Sequence, residues 1–413
     1  MMKKPELLAP AGSPEVLRSA VHYGADAVYI GGEAFGLRAK AKNFSPEQMA
    51  EAIRWTHEQG KKVYVTVNIL AHNADLVPVR EYLEELKNMR PDGLIIADPG
   101  VFSLAKKICP EIPRHISTQA NNTNAETCRF WAELGAKRVV TARELSLEEI
   151  REIRAQIPED MEIETFVHGA MCISYSGRCL LSNFLNGRDA NRGACTHPCR
   201  WKYSLMEETR PGEYFPVTEN ERGTFIFNSK DLCMIGHIPD LCAAGIDSFK
   251  IEGRMKTALY VAGITRAYRK AIDDFFADPA QYERNLDWYR KETASGTNRQ
   301  FTTGFFYGKP SAEDHIYENS TYVTNSIYLG SVRETDPEGR VVIRQKNKFS
   351  VGQTIELLRA DGRNTRLFVR GIFDEEGEPQ QDAPHAGQEL HLDLVPEDPE
   401  DTEGACPYDV LRM

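Results

Sequence analysis

The sequence predicts an α/β protein: a (β/α)8 barrel of the TIM type with a long cysteine-rich insertion after its seventh strand, followed by a small C-terminal antiparallel β-barrel. Three observations predict it. Eight short β-branched or apolar runs alternate with helix-period segments up to residue 295, nearly 80 residues separate the seventh run from the eighth, and beyond residue 321 the hydrophobic period changes to two.

The eight candidate strands are Glu6–Ala11, Ala27–Gly32, Lys62–Asn68, Gly93–Ala97, Pro113–Gln119, Arg138–Ala142, Glu162–His168 and Asp247–Glu252. Amphipathic stretches with helix start signals lie between them. Ser13-Pro14-Glu15 and Ser45-Pro46-Glu47 each read as an N-cap followed by proline in the first turn, and Ser146 with Glu149 fits a capping box. Gly24, Gly60, Gly135 and Gly245 stand where helices should stop. A doubly wound open sheet is the competing arrangement, but it calls for a glycine-rich phosphate loop after the first strand. The sequence there is A-P-A-G-S-P, not G-x-G-x-x-G. A helix over Leu232–Ala244 is expected to return the chain to strand eight, and a long helical region over Thr257–Ala294 to follow it.

The expected organisation is a barrel over 1–295 with its insertion at 169–230, a Gly/Thr/Ser-rich linker over 296–321, and a β-domain over 322–413. In that last part alternating runs such as R-V-V-I-R-Q and E-L-H-L-D-L-V are separated by the turn signals Asp336-Pro-Glu-Gly339 and Asp361-Gly362.

Composition narrows the classes. No run is long and apolar enough for a signal peptide or a membrane span, so the expectation is a cytoplasmic protein in a reducing compartment. The formal charge is -11, yet 13 acidic residues and no lysine or arginine fall between Gly371 and Val410. Residues 1–370 hold 48 acidic against 49 basic side chains, so a polyanion remains an admissible partner for the barrel.

Barrels of this type carry their chemistry at the C-terminal ends of the strands. The polar residues expected there are Asn68, Asp98, His115 with Ser117 and Gln119, Arg143 with Glu144, His168, and Lys250 with Glu252 and Arg254. Glu6 begins its strand and belongs at the opposite end. Any one such residue is more often a helix cap or a loop hydrogen-bonder, and the ensemble is the signal.

The insertion is therefore placed over the barrel mouth, and it holds four of the chain's nine cysteines, Cys172, Cys179, Cys195 and Cys199, within 28 residues. Thiols so dense in a chain read as intracellular point to metal ligation rather than disulfides. The spacing is C-x6-C-x15-C-x3-C. Structural zinc normally uses two close pairs, and only the second pair has that spacing; the wider first loop resembles iron–sulfur sites, and both metals stay open. Cys233 is an alternative fourth ligand to Cys199. The commoner reading of Cys109, Cys128, Cys242 and Cys406 is burial as small hydrophobes. The segment is also basic, with Arg178, Arg188, Arg192, Arg200 and Lys202 against Asp189, a pattern that offsets thiolate charge or meets phosphates. H-E-x-x-H, G-x-S-x-G and G-x-x-x-x-G-K-[ST] do not occur.

The pattern E-x-F-x-x-G-x-x-C-x-x-x-x-G-x-C, met by Glu164, Phe166, Gly169, Cys172, Gly177 and Cys179, resembles the signature of peptidase family U32. E-L-L-A-P-A-G from Glu6, N-S-K-D-L from Asn228 and F-K-I-E-G-R from Phe249 are similar to further blocks of that family. The family name implies collagenase-like proteolysis without an established catalytic mechanism. Its better-understood branches resemble one another in holding an iron–sulfur cluster and hydroxylating without molecular oxygen: one acts on ribosomal RNA, one in ubiquinone synthesis, and one makes 5-hydroxyuridine at the tRNA wobble position with prephenate required. The single-unit length and small terminal β-domain are similar to the tRNA branch. That resemblance implies a 4Fe–4S cluster on Cys172, Cys179, Cys195 and Cys199; the ubiquinone branch takes its fourth ligand further downstream, which keeps Cys233 in play. The expected activity is thus tRNA uridine hydroxylation, with tRNA and a small dicarboxylate as partners. Lys250 and Arg254 are expected to bind prephenate, Arg178 and Arg192 to bind substrate, and His168, Gln119 and Glu252 to supply acid/base or hydrogen-bonding groups. A peptidase, or an RNA-binding module with structural zinc, is the alternative.

Overall fold

The structure is a computed structural model that describes residues 2–32, 43–172, 174–190, 194–200, 204–206, 214–216, 228–311, 314–316 and 323–413. Eight parallel strands close into a barrel: β1 Glu6–Pro10, β2 Ala27–Ile30, β3 Lys62–Val67, β4 Gly93–Ile96, β5 Arg114–Ile116, β6 Arg138–Val140, β7 Glu162–Gly169 and β8 Ser248–Ile251. Each pairs with its successor, β7 with β8 across the insertion, and β8 returns to β1 through Leu8↔Lys250. The strands are buried almost throughout because helices cover the outside and side chains fill the inside.

The start signals act as read. Ser13 caps α1 (Pro14–His22), and Ser45 and Ser146 close capping boxes on α2 (Pro46–Glu58) and α6 (Leu147–Gln156). Between these lie α3 (Leu76–Met89), α4 (Pro99–Ile108) and α5 (Ala125–Glu133). Gly135 follows α5 at φ +93, in the left-handed region where a side chain is strained.

One helical expectation is corrected and another is met by several helices. The stretch predicted as one helix over Leu232–Ala244 is a strand, Asp231–Cys233, antiparallel to β7, then a 3-10 turn at Ile235–His237 and α8 at Ile238–Ala243, after the short lid helix α7 (Leu181–Asn186). Pro239 is the reason: it is tolerated in a first turn but breaks a helix interior, so the helix cannot begin at Leu232. The predicted region Thr257–Ala294 is α9 (Ala258–Ala277), α10 (Pro279–Arg284) and α11 (Leu286–Ser295), broken at Asp278-Pro279. Eleven consecutive residues of α9, Ala258 to Tyr268, are buried, as a helix covered on all sides requires.

The stretch expected as a linker is docked where it is described. Phe301–Thr302 pairs in parallel with Asp231 and Leu232, Asn298 bridges to Val323, and Phe306 is buried against the barrel. Its aromatic residues give it apolar surface to bury, which a free linker lacks.

Six strands then close the second barrel: β9 Tyr328–Thr335, β10 Val341–Arg344, β11 Thr354–Leu358, β12 Asn364–Phe373, β13 Glu389–Pro396 and β14 Val410–Arg412, in the order β11-β14-β9-β10-β13-β12 with β12 returning to β11. It sits against α1 and α9. The Tyr23 hydroxyl donates to the Leu358 carbonyl (2.7 Å) and accepts from Val410 N–H (2.9 Å), while Arg266 donates to the Arg359 carbonyl (3.1 Å). Among the described residues no helix is long and apolar enough to cross a membrane.

Candidate functional site

The barrel interior divides into a charged base and a polar mouth. At the base the Arg138 guanidinium lies between Glu6 (2.7 Å) and Glu164 (2.8 Å), and Glu164, with no exposed surface, also holds the Lys250 ammonium at 2.6 Å. Glu6 is at this end, as its place at the start of β1 requires. Burial alone would depress Arg138 and raise Glu6; the charges of Glu164 and then Glu6 overcome it at Arg138, and the charge of Arg138 overcomes it at Glu6, so Arg138 stands well above its ordinary value and Glu6 below its own. His115 also points into this base, 4.6 Å from the Tyr64 ring, where burial and then the charges of Arg138 and Lys250 keep it neutral.

Above this base a chamber of about 150 Å3 opens at the C-terminal strand ends. Tyr29, Thr66, Asn68, Ser117, Gln119, Arg143, Phe166, Lys250, Glu252 and Arg254 line it from the barrel. Arg254 donates to Thr66 Oγ1 at 2.7 Å, and Arg143 pairs with Glu252 at 3.2 Å while stacking 4.0 Å over Phe166. Asn68 (2.7 Å) and Ser117 (3.0 Å) both donate to Gln119 Oε1. Asp98 is not a site residue: its carboxylate caps α4 by accepting from Val101 N–H.

The lid closes the chamber from above. Cys172, Cys179, Cys195 and Cys199 all line it, with Gly177, His197 and Pro198. Asn121, just past β5, ties the lid down from both sides of its amide, donating to the Ser176 carbonyl (3.1 Å) and accepting from Arg178 Nε (2.7 Å). Gly177 lies on Gln119 at φ +75, where a side chain is strained, and a Cβ there would sit a tight 3.2 Å from Gln119 Cβ. The nine cysteines, all described, stand as thiols. Cys109, Cys128 and Cys242 are buried as expected; Cys406, expected inside, is exposed.

The lid thiols share a chamber wall without being drawn together: among the described residues no three His, Cys, Asp or Glu side chains form a ready metal site. The donor set fits a sulfur-ligated centre nonetheless. Four thiols from one segment face one cavity, and three cationic side chains line the same cavity to offset thiolate charge.

Besides Asp98 and His115, three further residues expected at the site, His168, Cys233 and Arg178, do not line the chamber, and a fourth, Arg192, is not described. His168 does not line the chamber. A register irregularity between Lys250 and Ile251, opposite β7, turns its ring out among Tyr260, Tyr268 and Phe301, where burial holds it neutral with its pKa lowered to about 3. Cys233 lies opposite His168 on the added strand, beside Tyr268 and Thr293; burial raises its thiol above the ordinary value, which disfavours the thiolate a metal needs. Arg178 is exposed, its Nε held by Asn121, and it does not line the chamber. Arg192 lies outside the described residues. Sequence reasoning passed over Tyr29, Phe166, Asn121 and His197. The period of two along β2 and β7 marks the first two as inward-facing, and His197 lies within the close cysteine pair.

A parallel (β/α)8 barrel with a four-thiol lid over a cationic mouth, joined to a closed six-stranded antiparallel barrel, defines a lidded TIM-barrel protein with an appended β-domain. The chain belongs to peptidase family U32: the model of Peptidase family U32 matches residues 12–316, and that of the Peptidase family U32 C-terminal domain matches residues 324–412. It is 42% identical over 393 residues to tRNA hydroxylation protein P1 of Bacillus subtilis, covering 95% of this chain and 92% of that one. It is 40% identical to tRNA hydroxylation protein P of Escherichia coli, covering 96% and 95%. The 23S rRNA 5-hydroxycytidine synthase of Escherichia coli is 34% identical over 91% of this chain and 55% of its own length.

Proposed function

We propose that this chain is an RNA-modifying hydroxylase that converts the tRNA wobble uridine to 5-hydroxyuridine, dependent on a 4Fe–4S cluster and on prephenate. The observation that carries the reading is the facing of four lid thiols onto a chamber that Lys250, Arg254 and Arg143 line. Near full-length similarity to two proteins named for tRNA hydroxylation supports it.

In this reading Cys172, Cys179, Cys195 and Cys199 hold the cluster, with Cys233 the weaker alternative to Cys199. When bound, such a cluster supplies electron-transfer chemistry at the barrel mouth. Arg254 grips one carboxylate of prephenate through its planar fork, and Lys250, fixed by Glu164, presents a point charge to the other. Asn68, Ser117 and Gln119 form the hydrogen-bonding wall, and Gln119 positions the bound molecule through it. Glu252, held by Arg143 at Oε2, is the chamber carboxylate placed to exchange a proton. His168 takes no part.

Mass spectrometry of tRNA from a deletion strain, with and without the gene restored, tests the reading. Loss and recovery of 5-hydroxyuridine is expected. Unchanged tRNA together with peptide cleavage by the purified protein would replace it with the peptidase reading, and a colourless protein with one bound zinc would replace it with a zinc-stabilised RNA-binding module.

A further inference from the structure

The lid is inside out for a small folded segment. Its inner side carries the thiols, and its outer side carries large apolar groups in water: Tyr175 is 47% exposed, Leu180 65%, Phe184 86% and Leu185 43%. These are four of the fourteen large apolar side chains exposed among the described residues, and they are concentrated within eleven positions of the lid. Helix α7 buries only Ser182, whose hydroxyl hydrogen-bonds with Thr196 (3.2 Å) and thereby joins α7 to the stretch bearing Cys195 and Cys199. Leu180 and Phe184, four residues apart, share one face of that turn. Beside them Arg178 and Arg188 form no ion pair with any described residue, although most of the described arginines do.

We propose that this outer face is the platform on which an unpaired RNA strand docks, Tyr175 and Phe184 stacking on its bases and Arg178 and Arg188 meeting its phosphates. The inference rests on the reading of the chamber as an RNA-modifying site. Exposed aromatics alternating with unneutralised arginines are what single-stranded nucleic acid requires, since every base has a stacking face and every linkage a charge. A protein partner would match the apolar groups but leave both guanidinium groups without counter-charge unless it were acidic. The platform is also continuous with the chamber: Ser176, Gly177 and Cys179 line it from within, while Tyr175, Arg178 and Leu180, interleaved with them, face out. A base swung out of a strand held here has only the thickness of one loop to cross.

The test measures binding of the full-length protein to a labelled RNA hairpin with an unpaired loop and to a matching fully paired duplex. Phe184→Ala and Tyr175→Ala should each weaken hairpin binding about fivefold or more and leave duplex binding unchanged. Arg178→Ala and Arg188→Ala should each reduce the salt dependence of hairpin binding by about 0.7 in the log–log slope. Phe130→Ala, an exposed aromatic on α5, is the control and should change nothing, and equal melting temperatures of all the variants establish folding. Unchanged hairpin binding in Phe184→Ala and Tyr175→Ala overturns the proposal, as does an equal loss with Phe130→Ala. So does a dimer of the wild type that Phe184→Ala dissociates, because a second copy then covers the patch. The two readings separate cleanly: the stacking pattern without any hydroxylated product removes the hydroxylase and keeps the platform, while full 5-hydroxyuridine formation by Phe184→Ala with unchanged binding does the reverse.

Discussion

Glu164 Oε1 lies 2.6 Å from Lys250 Nζ inside the barrel, and Glu164 Oε2 lies 2.8 Å from Arg138 Nη1. One carboxylate without exposed surface therefore anchors both the charged base of the barrel and the cation at the floor of the chamber. Breaking a buried pair from one side is costly because the other charge is stranded. Glu164→Gln should lower unfolding stability by roughly 3 kcal/mol, measured by urea denaturation. An unchanged midpoint would mean that Lys250 is solvated by other means.

Arg254 offers a test of ligand binding. Removing a charged hydrogen-bonding group costs about 1.5–3 kcal/mol, so Arg254→Ala should raise the prephenate concentration needed for half-maximal hydroxylation roughly ten- to hundredfold. Arg254→Lys, which keeps charge but loses the fork, should fall between. Gly31→Ala should mimic Arg254→Ala without touching it, because a Cβ at Gly31 would lie 2.1 Å from Arg254 Nη1. Full 5-hydroxyuridine formation at low prephenate in Arg254→Ala would remove the residue from the site.

His168 predicts a pH dependence of stability. Burial lowers its pKa to about 3 from the ordinary 6.5, so below pH 6.5 the unfolded chain binds a proton that the folded chain refuses. Its contribution is complete above pH 6.5 and is lost as the pH falls towards 3, at about 1.4 kcal/mol per pH unit. His168→Phe should flatten the decline of urea midpoint between pH 6.5 and 5, above the range where most carboxylates titrate. A parallel decline in both proteins would contradict the neutral assignment.

Docking of the second barrel is testable at Tyr23, whose hydroxyl satisfies one carbonyl and one N–H of that domain. Tyr23→Phe removes both of these buried hydrogen bonds and should cost about 1–3 kcal/mol, read by thermal melting.

The eight strands and their caps were legible because local signals determine them: apolar runs of strand length, serines before prolines, glycines after helices. The lid was legible as an excursion too long for a βα loop. Its attachment was not, because Asn121 reaches Ser176 and Arg178 across more than fifty residues. His168 shows the limit of the strand-end rule. A single register irregularity reverses a side chain, and no local pattern in T-F-V-H-G announces it. Lys250 was found at the mouth, but its pairing with Glu164, 86 positions away, belongs to the closure of the barrel. Residues 231–233 formed a strand because β7 offered an edge, which a helix-period reading of D-L-C-M-I cannot register.

Whether the lid thiols hold an iron–sulfur centre above the chamber is answered most directly by anaerobic purification followed by iron, sulfide and absorbance measurements. A brown protein absorbing near roughly 400 nm is expected, with iron and sulfide both present and both lost when Cys172, Cys179 and Cys195 are changed to serine, but retained in Cys233→Ser. A colourless protein free of sulfide under the same conditions, or full retention of the cluster in the triple variant, would contradict it.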